Sequence, residues 1–146
     1  DVVITSASGR PMDKTFFQAM KGVQISYPLI SEKGVIILVA RCDQGVGDDE
    51  LESQIAKGPE DVLRRIKCGE RMHFMADILG SALEKAGRIF IKCELPSEQV
   101  RRYGLEPVAS VDEALGSALS MLGERAKVLC MPQGPYVTPV VDGAGI

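Results

Sequence analysis

The sequence predicts an α/β domain of three layers, αβα, around a mostly parallel sheet of about five strands. Three observations lead there. Short apolar, β-branched runs alternate with segments of helical period along the chain, the signature of strand–helix–strand units. Runs such as Gly34–Arg41 are almost continuously apolar, which suits strands covered on both faces. The 146 residues, 45% hydrophobic and 25% charged, are enough for one core that buries roughly two-thirds of the unfolded surface.

The first strand is expected over Asp1–Thr5, where Val2-Val3-Ile4 begins at once. A domain that starts inside a strand reads as cut from something longer. A helix follows over Asp13–Val23, with Asp13 as its N-cap and Gly22 helping to end it. Phe16, Met20 and Val23 recur at i, i+4, i+7 and should face the core. The second strand spans Gly34–Arg41, and helices cover Asp48–Ala56 and Pro59–Lys67. A longer helix, Met72–Ala86, carries one apolar stripe of Met72, Met75, Ala76, Leu79, Leu83 and Ala86. A strand over Arg88–Cys93 precedes a short helix, Ser97–Tyr103, for which Ser97 is the expected cap. The fourth strand is Glu106–Ala109. Ser110 and Glu113 then form an S-x-x-E capping box before the helix Val111–Gly123. The fifth strand is Lys127–Met131. Beyond it, Pro132-Gln133-Gly134-Pro135 and Thr138-Pro139 cannot continue a regular element and read as an ordered tail over the surface or against another domain. Right-handed crossovers put the functional loops at the carboxyl ends of the strands. Residues 1–146 read as a single domain.

Composition excludes several classes. A net charge of −3, no Trp and 5% aromatics argue against a nucleic-acid partner. The longest apolar run, Val35–Ala40, is far too short to cross a membrane, and no signal peptide is visible. The four cysteines contain no C-x-x-C pair, which removes a zinc ribbon and a thioredoxin-type motif. Their usage points to a reducing, cytoplasmic setting. Cys93 and Cys130 end apolar runs and are expected to pack as small hydrophobes; Cys42, in a glycine-rich loop, is the one to examine for reactivity. The single histidine, His73, shares a helix face with Asp77, Gly80 and Glu84, which reads as a solvated polar face rather than a metal site. The segment Cys42–Asp49 holds a G-x-G, Gly45 to Gly47, but Glu50 stands at the third glycine position. The acids at the following helix start would repel a pyrophosphate. That segment reads equally as a ligand loop or a tight turn. Ser6 and Ser8 have no nucleophile elbow and no histidine partner, so serine catalysis is excluded.

The informative segment is the turn Ser6–Asp13 and the helix after it. Lys14, Gln18 and Lys21 recur at i, i+4, i+7 and present an amide flanked by two ammonium groups near the strand-end crevice. Such a stripe can hold a carboxylate by charge and a hydroxyl by hydrogen bonds; the plain alternative is a solvated helix face.

The run Ser8-Gly9-Arg10-Pro11-Met12-Asp13-Lys14-Thr15-Phe16-Phe17-Gln18-Ala19-Met20-Lys21-Gly22 resembles a signature of the nickel-pincer-dependent lactate racemase family, in which a G-G-x-P-x-D turn leads into Y-Q-x-x-K-G. Gly34–Ala40 with the Cys42 to Gly47 loop, and Pro132-Gln133-Gly134-Pro135-Tyr136, are similar to later elements of that family. Ser8 replaces the first glycine and Phe17 the usual tyrosine; the tryptophan that lines the substrate pocket in lactate racemases has no counterpart here. The resemblance implies the C-terminal half of a two-domain 2-hydroxyacid racemase or epimerase. It implies that Gln18 and Lys21 contact a small 2-hydroxyacid substrate, with Lys14 and Arg10 assisting at the cleft edge. It also implies that the nickel ligands, the lysine bearing the nickel pincer nucleotide and the two catalytic histidines all lie in the N-terminal domain, so that no catalytic or metal residue is expected here. The reaction expected is hydride abstraction and return. The alternative is a non-catalytic domain that binds small carboxylates or docks a partner through the same face.

Overall fold

The computed structural model describes residues 1–140; positions 141–146 of the expected domain lie outside the described residues. The chain runs β1 (Val2–Ser6), α1 (Phe16–Ser26), β2 (Val35–Val39), α2 (Asp49–Ile55), α3 (Pro59–Lys67), α4 (Phe74–Lys85), β3 (Arg88–Lys92), α5 (Ser97–Arg102), β4 (Glu106–Pro107), α6 (Val111–Leu122) and β5 (Val128–Met131). A single 3₁₀ turn follows over Gly134–Tyr136. All five strands join one parallel sheet in the order β4-β3-β2-β1-β5. The three-layer α/β reading holds.

The strand order explains the layers. From β1 to β4 the chain steps steadily toward one edge, then crosses back to set β5 on the other side of β1. Right-handed crossovers in opposite directions must pass on opposite faces. Accordingly, Val3, Ile36, Leu38, Ile89 and Ile91 pack into a front core with residues of α1 to α5. Val2, Val35, Ile37 and Phe90 pack behind the sheet against Ala114 and Ala118 of α6. The order reverses between β1 and β5, and open α/β sheets bind ligands at the carboxyl ends of strands beside such a reversal. The 3₁₀ turn packs there against α1 and β1. A Cβ on Gly134 would lie within van der Waals overlap of the Thr5 hydroxyl, so glycine lets the tail settle on the sheet.

Several local expectations change. Thr15, not Asp13, caps α1: its hydroxyl accepts from the Gln18 N–H at 3.3 Å, because residues 9–13 form a separate turn. Gly22 does not end the helix, which runs to Ser26. It lies where a Cβ would come within 3.2 Å of Leu38 and 3.3 Å of Thr5, so it permits close approach to the sheet. Ser97 is the first helical residue of α5, and Pro96 occupies the cap position without a side-chain bond. Ser110 caps α6 as expected, its hydroxyl accepting from Glu113 N, while the Glu113 carboxylate reaches one residue past the cap and accepts from Ala109 N instead of Ser110 N. β5 is not covered on both faces. Val128, Leu129 and Cys130 are exposed because the strand is an edge and the back layer is one helix. Cys130 is therefore not a packed core thiol.

The polar-face reading of His73 is also replaced. His73 precedes α4 and caps it, its Nδ1 accepting from Met75 N at 3.2 Å. Its Nε2 faces Asp48 at 3.6 Å, and its side chain is only 11% exposed. Gly80 packs against Ile66 and Val62 of α3, which covers the face expected to be solvated. No described helix is long and apolar enough to cross a membrane.

Candidate functional site at the carboxyl ends of the strands

After β1 the backbone turns through Ser8 and Gly9, both left-handed at φ 71° and 74°. Glycine adopts that conformation freely, whereas a side chain there costs about 1–2 kcal/mol. Arg10 and Pro11 follow, joined by a cis peptide. Asp13 N then donates to Gly9 O at 3.1 Å and closes the turn.

The start of α1 is held from outside by the loop after β2. Cys42 N donates to Asp13 O at 2.6 Å and Gln44 N to Lys14 O at 2.9 Å. In return, Gly45 O and Val46 O accept from the N–H groups of Phe16 and Phe17 at 3.0 and 2.9 Å. Two N–H groups that a helix start leaves without partners are thereby satisfied. Gly47, at φ 81°, lies where a Cβ would sit 2.5 Å from that of Thr15. The loop, read from sequence equally as a ligand loop or a tight turn, spends these backbone bonds on bracing the start of α1.

The four candidate residues do not converge on one point. Arg10 is drawn into an ion pair with Asp43 at 2.5 Å. Gln18 and Lys21 lie half-buried on α1, whereas Lys14 precedes the Thr15 cap and is not on the helix, so the expected three-residue stripe is reduced to two; neither lysine forms an ion pair among the described residues. Phe17, one turn before Lys21, turns its ring edge-on to His73 and Phe74, at 5.7 and 6.0 Å between centroids. Phe74 is 52% exposed, so an open aromatic edge borders the stripe.

Unsatisfied polar atoms concentrate here. Among the described residues five side-chain oxygens are buried without a partner, and four of them belong to Thr5, Ser8, Asp13 and Gln18. Leaving such a group unpaired costs about 1–3 kcal/mol, so the two in the turn, Ser8 and Asp13, with Thr5 on β1 and Gln18 on α1 to either side, mark a place where ligand or partner atoms would be stabilising.

A cleft of about 340 Å³ opens beside this turn, lined by residues that include Ser6, Gly9, Asp13, Arg41, Cys93 and Glu94. Arg41 and Glu94 pair at its rim at 2.9 Å, and this hydrogen bond, with the charges of Glu94 and Asp43, raises the Arg41 pKa. Lys14, Gln18 and Lys21 do not line that cleft. Two larger clefts, of about 540 and 560 Å³, flank β3 and β4 beside Arg88 and Glu106. They lie away from the strand ends and the unsatisfied atoms, so the smaller cleft is the better candidate. No three His, Cys, Asp or Glu side chains among the described residues are grouped to hold a metal ion.

The family model of the lactate racemase C-terminal domain matches residues 1–139. The chain belongs to that family. It is similar to the lactate racemase of Thermoanaerobacterium thermosaccharolyticum, 29% identical over 144 residues that make up 94% of this chain and 34% of that protein. It is also similar to the lactate racemase of Lactiplantibacillus plantarum, 26% identical over 92% of this chain and 33% of that protein. The solved structure of the lactate racemase apoprotein from T. thermosaccharolyticum superposes with a TM-score of 0.83 at 27% identity, covering 94% of this chain and 35% of that one. This lactate racemase C-terminal domain thus spans about a third of the length of the relatives it matches.

Proposed function

We propose that this chain is the substrate-contacting C-terminal domain of a two-domain racemase or epimerase of small 2-hydroxyacids. The observation that carries the reading is the amide of Gln18, buried at its oxygen and without a partner, on the same helix as Lys21, a lysine free of ion pairs among the described residues. An orphan acceptor is suited to a substrate hydroxyl, and an ammonium one turn away to a carboxylate. In this reading Lys21 holds carboxylate or alkoxide charge and Gln18 orients the hydroxyl, a positioning and electrostatic role. Lys14 and Arg10 shape the edge of the site, Arg10 with its charge shared with Asp43.

The described residues offer no grouped metal donors, so nickel is assigned to none of them. Hydride abstraction and return at the carbon bearing the hydroxyl is the chemistry a nickel pincer nucleotide supplies when bound. We place it, with the proton-transferring groups, in the N-terminal domain. The test compares the intact protein with the 146-residue chain on a panel of 2-hydroxyacids, followed by chiral chromatography. The intact protein is expected to racemise at least one of them, and the isolated chain none. Turnover by the isolated chain would overturn the division of labour, and an intact protein inert toward the whole panel would overturn the reaction class.

A further inference from the structure

Beyond the last paired residues of β2 and β3, Val39 and Lys92, the two chains stay together. Ala40 N donates to Lys92 O at 3.1 Å and Glu94 N to Arg41 O at 2.7 Å, which pins the backbone on both sides of Cys93. Cys42 follows in a left-handed conformation, φ 55°, and is buried to 1% exposure. Both side chains belong to the front core, Cys42 within it and Cys93 packed against it, and each thiol shifts the titration of the other. Cys68, at the end of α3, and Cys130, on the edge strand, are both exposed and belong to other parts of the fold. Cys93 lines the cleft of about 340 Å³ and is reached from it, whereas Cys42 does not line that cleft.

We propose that Cys42 and Cys93 form a reversible dithiol–disulfide pair, a redox modification site at the carboxyl ends of β2 and β3 in which Cys93 attacks and Cys42 resolves. The local chemistry separates the roles. The hydrogen bond from Cys42 brings the Cys93 pKa down to about 7, with help from the Leu95 N–H and the Lys92 charge and against burial and Glu94. The same hydrogen bond, burial and the charges of Asp13 and Asp43 push the Cys42 thiol up. A low-pKa, accessible thiolate beside a buried partner is the arrangement that reacts first and is then resolved.

With a small-molecule disulfide as oxidant, the Cys93 thiolate attacks one of its sulfurs and expels one thiolate. Cys42 then gives up its proton and attacks the Cys93 sulfur, expelling the second thiolate. The oxidant is reduced to two thiols, and the protein loses two hydrogens. A dithiol reductant reverses both steps. The proposal does not depend on the hydroxyacid reading.

The experiment treats the protein with glutathione disulfide, blocks remaining thiols and maps tryptic peptides by mass. The expected product links the peptide starting at Cys42 to the peptide starting at Cys93, two hydrogens lighter than their sum and separated by a dithiol. Iodoacetamide labelling of Cys93 should rise with a midpoint near pH 7, below the range of an ordinary thiol at about 8.5. In Cys42→Ala the glutathione adduct on Cys93 should persist, and its labelling midpoint should move up toward the ordinary range. Oxidised wild type with adducts on Cys68 and Cys130 but no Cys42–Cys93 link would overturn the proposal. So would a Cys93 that titrates like an ordinary thiol. Both readouts come from the wild-type protein, so the outcome does not rest on the folding of the variant.

Discussion

Lys21→Ala in the intact protein is expected to lower kcat/KM for its 2-hydroxyacid about 10- to 150-fold. A hydrogen bond to a charged group contributes about 1.5–3 kcal/mol, and each 1.4 kcal/mol is a factor of ten. Lys21 is half-buried on the α1 flank and spends its charge on no carboxylate among the described residues, so a substrate carboxylate gains its full attraction. The fold should not suffer. Polar positions outside the core usually change stability by about 0.5 kcal/mol or less. Lys14→Ala, outside α1 and nearer in sequence to the Arg10–Asp43 pair, should cost much less activity. The measurement is racemisation kinetics of both variants beside their melting temperatures. Near-wild-type efficiency for Lys21→Ala would make this stripe a solvated face and remove the assigned site.

Phe16→Ala is expected to have the opposite profile, destabilising the domain by about 3–5 kcal/mol. Its ring is fully buried at the start of α1 and lies 5.5 Å from the ring of Tyr103, itself 1% exposed. These two rings tie the first helix to the end of α5 across the front core. Truncation therefore loses both the transferred apolar area and an aromatic pair, and leaves a cavity between two rigid elements. For a chain of this length each kcal/mol lowers the midpoint by roughly 2–4 °C. Urea unfolding with an unchanged m-value, alongside Phe16→Leu as a smaller truncation, measures it. A loss under 1 kcal/mol would show that the site helix is not anchored through this side chain.

The order and type of the elements were legible because each has its own periodic signal. Phe16, Met20 and Val23 on one side of α1 are all fully buried, as their spacing predicts. What local pattern could not supply is the partner across the fold. Asp13 is a good cap in sequence, yet the loop after β2 takes its carbonyl and leaves Thr15 to cap the helix. Gly22 and Gly80 look like a helix stop and a polar-face residue, respectively. Both are close-approach points, set by Thr5 and Leu38 in one case and by Ile66 in the other. Cys42 and Cys93 carry no shared motif, and only the β2–β3 register brings them together. Gln18 and Lys21 were placed on one helix by their spacing, but Lys14, read as part of the same stripe, falls before the Thr15 cap, and the unsatisfied oxygens of Ser8 and Asp13 became visible only in three dimensions.

The uneven layering has a consequence for how the domain breathes. Its front carries α1 to α5 on large side chains, while its back carries one helix that meets the sheet through Ala114 and Ala118. Alanines allow close contact but bury little area, and the neighbouring β5 leaves three of its four residues exposed. Free energy of local opening follows buried apolar contact, so α6 and β5 should form the least protected cooperative unit. Amides of α6 should then exchange with deuterium by sub-global opening, while those of β2, buried from Val35 to Leu38, exchange only on global unfolding. Equal protection in the two would refute this hierarchy. The strand β1 would thus lie between a stiff side, carried by β2 and α1, and a yielding side at β5.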